Sequence, residues 1–184
     1  MVESLLELVI FLGIGFSFTY AAWWIIPILS GLPWIPTQPQ RIRKSLTLAQ
    51  VRPGEVVYDL GAGDGRVLLI AAGEYGAYAV GVEISPLHCL LAWLRARVHH
   101  LSLRVRILWA SFYKVDLAEA DVVFVYMTAK QAARLQPHLE RQLHPEARVV
   151  AISVEFAGWQ AVDFDRQDLV FLYRMPPAPH TNPT

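Results

Sequence analysis

Asp59-Leu60-Gly61-Ala62-Gly63-Asp64-Gly65-Arg66 decides the fold of this chain. The stretch closes a short β-rich run, Val56 to Leu60, and opens a helical one, Arg66 to Tyr75. Glycines in a strand-to-helix turn let the backbone reverse tightly and come close to a ligand. Strand and helix patterns then alternate: a strand Tyr78 to Ile84, a helix Pro86 to His100 with proline in its first turn, and a strand Val105 to Ala110. The apolar run Val122 to Met127 reads as a strand covered on both faces, and Ala129 to Leu143 as a helix that Pro137 interrupts. Strands Arg148 to Val154 and Leu169 to Met175 follow, with Ala161 to Phe164 as a partner for the last. The alternation predicts an α/β fold, a Rossmann-like, doubly wound, mostly parallel sheet with helices on both faces. Ligands of such sheets bind beyond the carboxyl ends of the strands. The site is therefore expected just after Leu60, Ile84, Ala110, Met127 and Val154.

The glycine spacing narrows the ligand. A dinucleotide fingerprint is G-x-G-x-x-G, with a helix N-terminus aimed at pyrophosphate. Here the third glycine comes one residue early, and no Gly-Lys-Ser/Thr of a phosphate loop follows. Asp59 and Asp64 would repel a pyrophosphate. They suit a ligand that carries an ammonium and a sulfonium, which S-adenosylmethionine does. Glu83, 24 residues after Asp59, ends the second strand, where a carboxylate accepts from ribose hydroxyls. The expected cofactor-binding set is Asp59, Gly61, Ala62, Gly63, Asp64, Gly65, Glu83, Ser111, Phe112 and Tyr126, with no metal. Phe112 either flanks the adenine or packs in the core. Tyr126, Glu155 and Trp159 are the expected acceptor-side, catalytic residues: aromatic walls that align a nucleophile and exclude water, and a carboxylate for an amine. Phe156 is equally readable as core or wall.

The rest of the chain sets the context. Leu8 to Leu32 is 25 residues without a charge. As a helix it would span ~37 Å, against a hydrocarbon core of ~30 Å. Trp23, Trp24 and Trp34 gather at one end, as interfacial aromatics do. The expectation is a transmembrane anchor over 1–32, lying in the bilayer through residues 8–32. Glu3 and Glu7 with no basic residue argue against a cleaved signal. All sixteen Lys and Arg follow residue 40, and Arg41, Arg43 and Lys44 come soon after the helix. The positive-inside rule then places the domain on the cytoplasmic side of a single-pass membrane protein. Without the anchor the chain holds sixteen basic and fourteen acidic residues, which is no nucleic-acid footprint. Residues 33–55 read as a proline-rich linker and a short helix, about Arg41 to Gln50; 56–176 as the catalytic domain; 177–184 as a loose tail. The single cysteine, Cys89, excludes an internal disulfide and reads as buried packing, and His99-His100 as a solvated helix end.

Together these residues resemble the class I, seven-strand methyltransferases. More narrowly, the chain is similar to the membrane-anchored protein-lysine methyltransferases that include the enzyme acting on the ATP synthase c-ring protein. The matching elements are Pro33-Trp34-Ile35-Pro36-Thr37, Asp59 to Arg66, Gly81-Val82-Glu83, Leu139-Glu140-Arg141-Gln142-Leu143, Ala147-Arg148-Val149-Val150 and Phe156-Ala157-Gly158-Trp159. Three positions depart: Tyr126-Met127-Thr128-Ala129 stands where members often carry Tyr-Leu-Leu-Pro, Ala157 replaces a proline, and Ser111 replaces an adenine-binding aspartate. The resemblance implies transfer of a methyl group to a lysine of a membrane or membrane-associated protein, with Pro36-Thr37 either folding over the cleft or serving as a stiff spacer. The competing readings are a lipid or hydrophobic small-molecule methyltransferase, a non-catalytic cofactor-binding scaffold, and an NAD-dependent dehydrogenase.

Overall fold

The computed structural model of the chain describes residues 2–29 and 36–178. The chain divides into two compact units, Met1–Ile35 and Pro36–Thr184. In the first, α1 (Val2–Leu29) is one helix whose described side chains, Leu5 to Ala21, are all exposed. Its Ser17 and Thr19 hydroxyls donate back to the carbonyls of Gly13, Gly15 and Phe16, so these polar groups are satisfied within the helix. Among the described residues no helix is long and apolar enough to cross a membrane. The expected span over residues 8–32 is therefore not shown by the described residues. Ser30–Leu32 lie outside the described residues, as do Pro33-Trp34-Ile35 and tail residues 179–184.

The second unit is built on a seven-stranded sheet of order β3-β2-β1-β4-β5-β7-β6. β1 (Val56–Leu60), β2 (Tyr78–Glu83), β3 (Val105–Trp109), β4 (Val122–Tyr126) and β5 (Arg148–Ile152) run parallel. β7 (Val170–Arg174) lies antiparallel to both β5 and β6 (Asp163–Asp165). The sheet is therefore mixed. The physical reason is the short β6–β7 connection, where Asp165 accepts from the Gln167 and Asp168 N–H groups. A turn that tight joins only antiparallel neighbours, whereas each parallel step needs a crossover. The order reverses between β1 and β4, so the carboxyl ends of those two strands, at Leu60 and Tyr126, flank the switch point.

Strands β1, β4 and β5 are buried almost throughout, which is why they read as continuous apolar runs. Four further helices complete the unit: α2 (Pro39–Leu48), α3 (Arg66–Glu74), α4 (Pro86–Val98) and α5 (Ala129–Gln142). α2 begins at Pro39, earlier than expected, because proline is suited to a first turn. It drives Ile42 and Leu46 into the core. α5 runs through Pro137, with Leu135 and Leu139 buried on either side of it. Thr128, one of the departures from the family pattern, caps that helix. Its hydroxyl accepts from the Gln131 N–H, and the Gln131 side chain accepts from the Thr128 N–H, forming a capping box.

Gly65 serves packing. It lies at φ +78°, and a Cβ there would sit 2.8 Å from Ala92 Cβ and 3.2 Å from Ala92 Cα on α4. Gly65→Ala is expected to lower stability by about 2–4 kcal/mol, from a strained φ plus an immovable backbone contact. Thermal unfolding measures it; a variant within about 0.5 kcal/mol of wild type would contradict this role.

Candidate functional site

The strand ends bring three carboxylates to one place. Register pairs Asp59 with Gly81 and Leu60 with Val82, so Glu83 emerges beside the loop that begins at Gly61. Glu83 is buried and has structural partners already. Its Oε2 accepts from Gly63 N–H at 2.8 Å; its Oε1 accepts from Ile84 and Ser85 N–H at 2.9 and 2.8 Å. A carboxylate offers about four acceptor positions, so about one remains, on Oε2. Holding both ribose hydroxyls requires Gly63 N–H to turn away.

Asp59 differs. It is 5% exposed, and among the described residues no side-chain cation or hydrogen bond reaches its carboxyl group. Burial first, then the charges of Glu83 and Asp64, push its pKa up to about 8. A buried acid that lacks a countercharge is one whose ionised form a bound cation would stabilise, in exchange for its proton. The ammonium and sulfonium of S-adenosylmethionine fit it, whereas a pyrophosphate does not.

Asp64 is the carboxylate that arginines take. Arg66 Nε and Nη2 grip its two oxygens at 2.9 and 2.8 Å, and Arg95 Nη1 adds a contact at 2.5 Å. Burial works to raise its pKa, but the hydrogen bonds and charges of Arg66 and Arg95 outweigh that and hold it below the ordinary range. Asp64 thus fixes the loop from behind, tying it to α4. Arg66 also donates through Nη1 to the Thr37 carbonyl at 3.0 Å. The Pro36-Thr37 segment is thereby attached to the glycine loop itself, and Thr37 is buried there.

On the other side of the switch point Tyr126 ends β4 half-buried, with the Arg41 guanidinium 5.6 Å from its ring centroid. Arg41 also donates to Ser153 Oγ at 2.7 Å, just past β5, and to the Asp168 carbonyl at 2.8 Å. Lys44 pairs with the Asp168 carboxylate and Arg43 with Glu74. The three cations that the sequence offers as topology signals are thus bonded within the domain, and α2 is latched over the ends of β4 and β5. Spacing alone could not reveal Arg41: its partners lie 112 and 127 residues away.

The structure places Trp159 in the core. Trp159 is 5% exposed, stacks on Phe156 at 4.6 Å, meets Tyr173 edge-on at 5.5 Å, and donates its indole N–H to Glu140 Oε1 at 2.9 Å. It is a core side chain whose polar tip is satisfied by α5. Trp159→Ala is expected to cost about 3–5 kcal/mol in unfolding free energy while leaving cofactor affinity in the folded protein unchanged. A loss of affinity without loss of stability would return Trp159 to the site. Glu155 is exposed. Ser111 and Phe112 lie in the loop after β3, where Ala110 N–H donates to the Glu83 carbonyl, and the Phe112 ring packs on Tyr113 at 4.5 Å.

Comparison with known proteins places this geometry. Residues 59–163 match a protein-family profile, the ANTKMT methyltransferase domain. The chain belongs to that family. A protein-lysine N-methyltransferase of Saccharolobus islandicus is 34% identical over 149 residues, covering 77% of this chain and 92% of that protein. The adenine nucleotide translocase lysine N-methyltransferase of Mus musculus is 32% identical over 138 residues, 74% of this chain and 59% of that enzyme. Among solved structures, an RNA methyltransferase from Salinibacter ruber in complex with S-adenosylhomocysteine superposes with a TM-score of 0.75 at 31% identity, covering 81% of this chain and 97% of that one. This member of the ANTKMT family is accordingly a methyltransferase that uses S-adenosylmethionine. Asp59, Glu83 and the glycine backbone are the residues whose chemistry fits the cofactor, which when bound supplies a methyl group already activated by its sulfonium.

Proposed function

We propose that the chain methylates the ε-amine of a lysine on a membrane or membrane-associated protein. The observation that carries the reading is the similarity to the Saccharolobus islandicus lysine methyltransferase along nearly all of that enzyme's length. The switch point between the glycine loop and Tyr126, beside Arg41, is the proposed entry for the lysine. A lysine must lose its proton before it attacks the methyl carbon, so the enzyme's task there is to align a neutral amine and exclude water. Tyr126 is the proposed aromatic wall, and Glu155, which follows β5, the proposed carboxylate that meets the incoming ammonium.

The proposal includes anchoring through α1. Its support is the uncharged stretch Leu8 to Leu32, the exposure of every described side chain of α1, and hydroxyls that bond within the helix. The proposed orientation is cytoplasmic for the domain, since every Lys and Arg follows residue 40. An anchor raises the effective concentration of targets in the same bilayer.

The test is transfer from methyl-tritiated S-adenosylmethionine in isolated membranes to which the full chain is added. Label recovered as methyl-lysine after acid hydrolysis of protein is the expected result. Label in the organic extract alone, or in RNA alone, would overturn it in favour of a lipid or an RNA acceptor.

A further inference from the structure

We infer that the outward face of α4, together with Trp109 of β3, is a second membrane contact, one that seats in the anionic headgroup region of a bilayer. α4 turns His88, Ala92 and Ala96 inward. Its outward positions are Leu87, Leu90, Trp93, Leu94, Arg97 and Val98, all exposed and all apolar except Arg97. A surface helix ordinarily shows polar residues there. β3 is an edge strand, and Trp109 on it is 71% exposed, with an indole N–H that donates to the Ile84 carbonyl at 2.9 Å. Between helix and strand runs an apolar groove of about 370 Å³ lined by Cys89, Leu90, Trp93, Ile107 and Trp109. Contiguous apolar surface of this kind marks an interaction site rather than a scatter of exposed residues.

Charge selects the occupant. From Ile84 to Val115 the chain contains no Asp or Glu. Arg97 lies over the Trp93 ring at 4.6 Å, and exposed His99 and His100 continue the face. A second copy pairing through the same patch would bring two Arg97 side chains into one interface with no acidic residue of the face to pair them, because a two-fold interface brings identical surfaces together. A bilayer with anionic lipids complements them, and Trp, Leu and Arg side by side are the residues that settle at its interface. The face reaches the cofactor cleft: Ile84 follows Glu83, and Trp109 lies two residues before Ser111. Docking it would hold the mouth of the site at the bilayer surface independently of α1.

The test uses the full chain with Cys89→Ser, which keeps a hydroxyl where the thiol donates to the Glu83 carbonyl. Leu90→Cys carries an environment-sensitive nitrobenzoxadiazole label. The protein is reconstituted in phosphatidylcholine vesicles with or without phosphatidylserine, each doped with a headgroup nitroxide lipid. The expected result is a blue shift and quenching that require phosphatidylserine, while a label at Arg141→Cys on α5 stays in water. Arg97→Gln is expected to lower the docked-to-undocked ratio about fivefold, the effect of one basic residue at an anionic surface. A label at Phe11→Cys reports α1 in the same preparation. If it enters the bilayer while the Leu90 position stays in water, the inference is overturned and the α1 proposal stands; docking at Leu90 with Phe11 in water gives the converse. Quenching that ignores phosphatidylserine, or burial in detergent that grows with protein concentration, overturns it in favour of a purely apolar or self-associating face.

Discussion

Replacing Glu83 with alanine is expected to weaken S-adenosylmethionine binding by about a hundredfold or more. Two losses combine. The ribose loses a charged acceptor, worth about 1.5–3 kcal/mol per hydrogen bond. The loop loses the anchor at Gly63 N–H, while Ile84 and Ser85 N–H groups are left without their acceptor. Together they amount to about 3 kcal/mol, or roughly a hundredfold in affinity. Titration calorimetry measures the binding, and a thermal scan of the same sample separates a weakened site from an unfolded one. Affinity within threefold of wild type, in a folded variant, would remove Glu83 from the cofactor site.

The second large effect belongs to Asp59. Its carboxyl titrates at about 8 because it is buried beside Glu83 and Asp64. At pH 6 to 7 it is protonated, and a cationic cofactor must displace that proton. Affinity for S-adenosylmethionine is therefore expected to rise close to tenfold per pH unit from pH 6 toward pH 8. Asp59→Asn should erase the slope and show its greatest deficit at pH 8. Stability without cofactor runs the other way. The folded pKa lies above the ordinary 3.8, so the folded chain keeps a proton that the unfolded chain releases. The resulting stability is full below about pH 4 and lost as pH climbs to about 8. Asp59→Asn is expected to flatten this fall. A wild-type binding curve independent of pH over that interval would contradict the assignment.

The residues that sequence makes legible are those governed by local rules. A glycine loop between a buried strand and a helix fixes where the chain turns, and an acid at the next strand end falls beside it because parallel neighbours share a register. That is why Asp59 and Glu83 meet as expected. Asp64 stands in the same motif but is spent on Arg66 and Arg95, and a pairing across 31 residues leaves no trace in local spacing. Trp159 follows Gly158 soon after β5, where the sequence reads it as an acceptor-side wall. Only the docking of α5 supplies Glu140 to its indole and closes the core over it. Arg41 reads as a flanking cation for the same reason, since Ser153 and Asp168 approach it only through the fold. The hairpin end of the sheet is partly legible as two late strands, but its direction follows from a turn whose Asp165 bonds no hydrophobic pattern records.

Gly65 packs against Ala92 and Asp64 pairs with Arg66 and Arg95, which leaves Asp59, Glu83 and the backbone of the loop as the proposed ligand contacts. The most direct test is the structure of the chain bound to S-adenosylhomocysteine. The expected result is a ribose hydroxyl on Glu83 Oε2, the amino group beside the Asp59 carboxylate, and, if both ribose hydroxyls are held, the Gly63 N–H turned away from Glu83. A ribose remote from Glu83, or a ligand seated in the groove between Trp93 and Trp109, would contradict it.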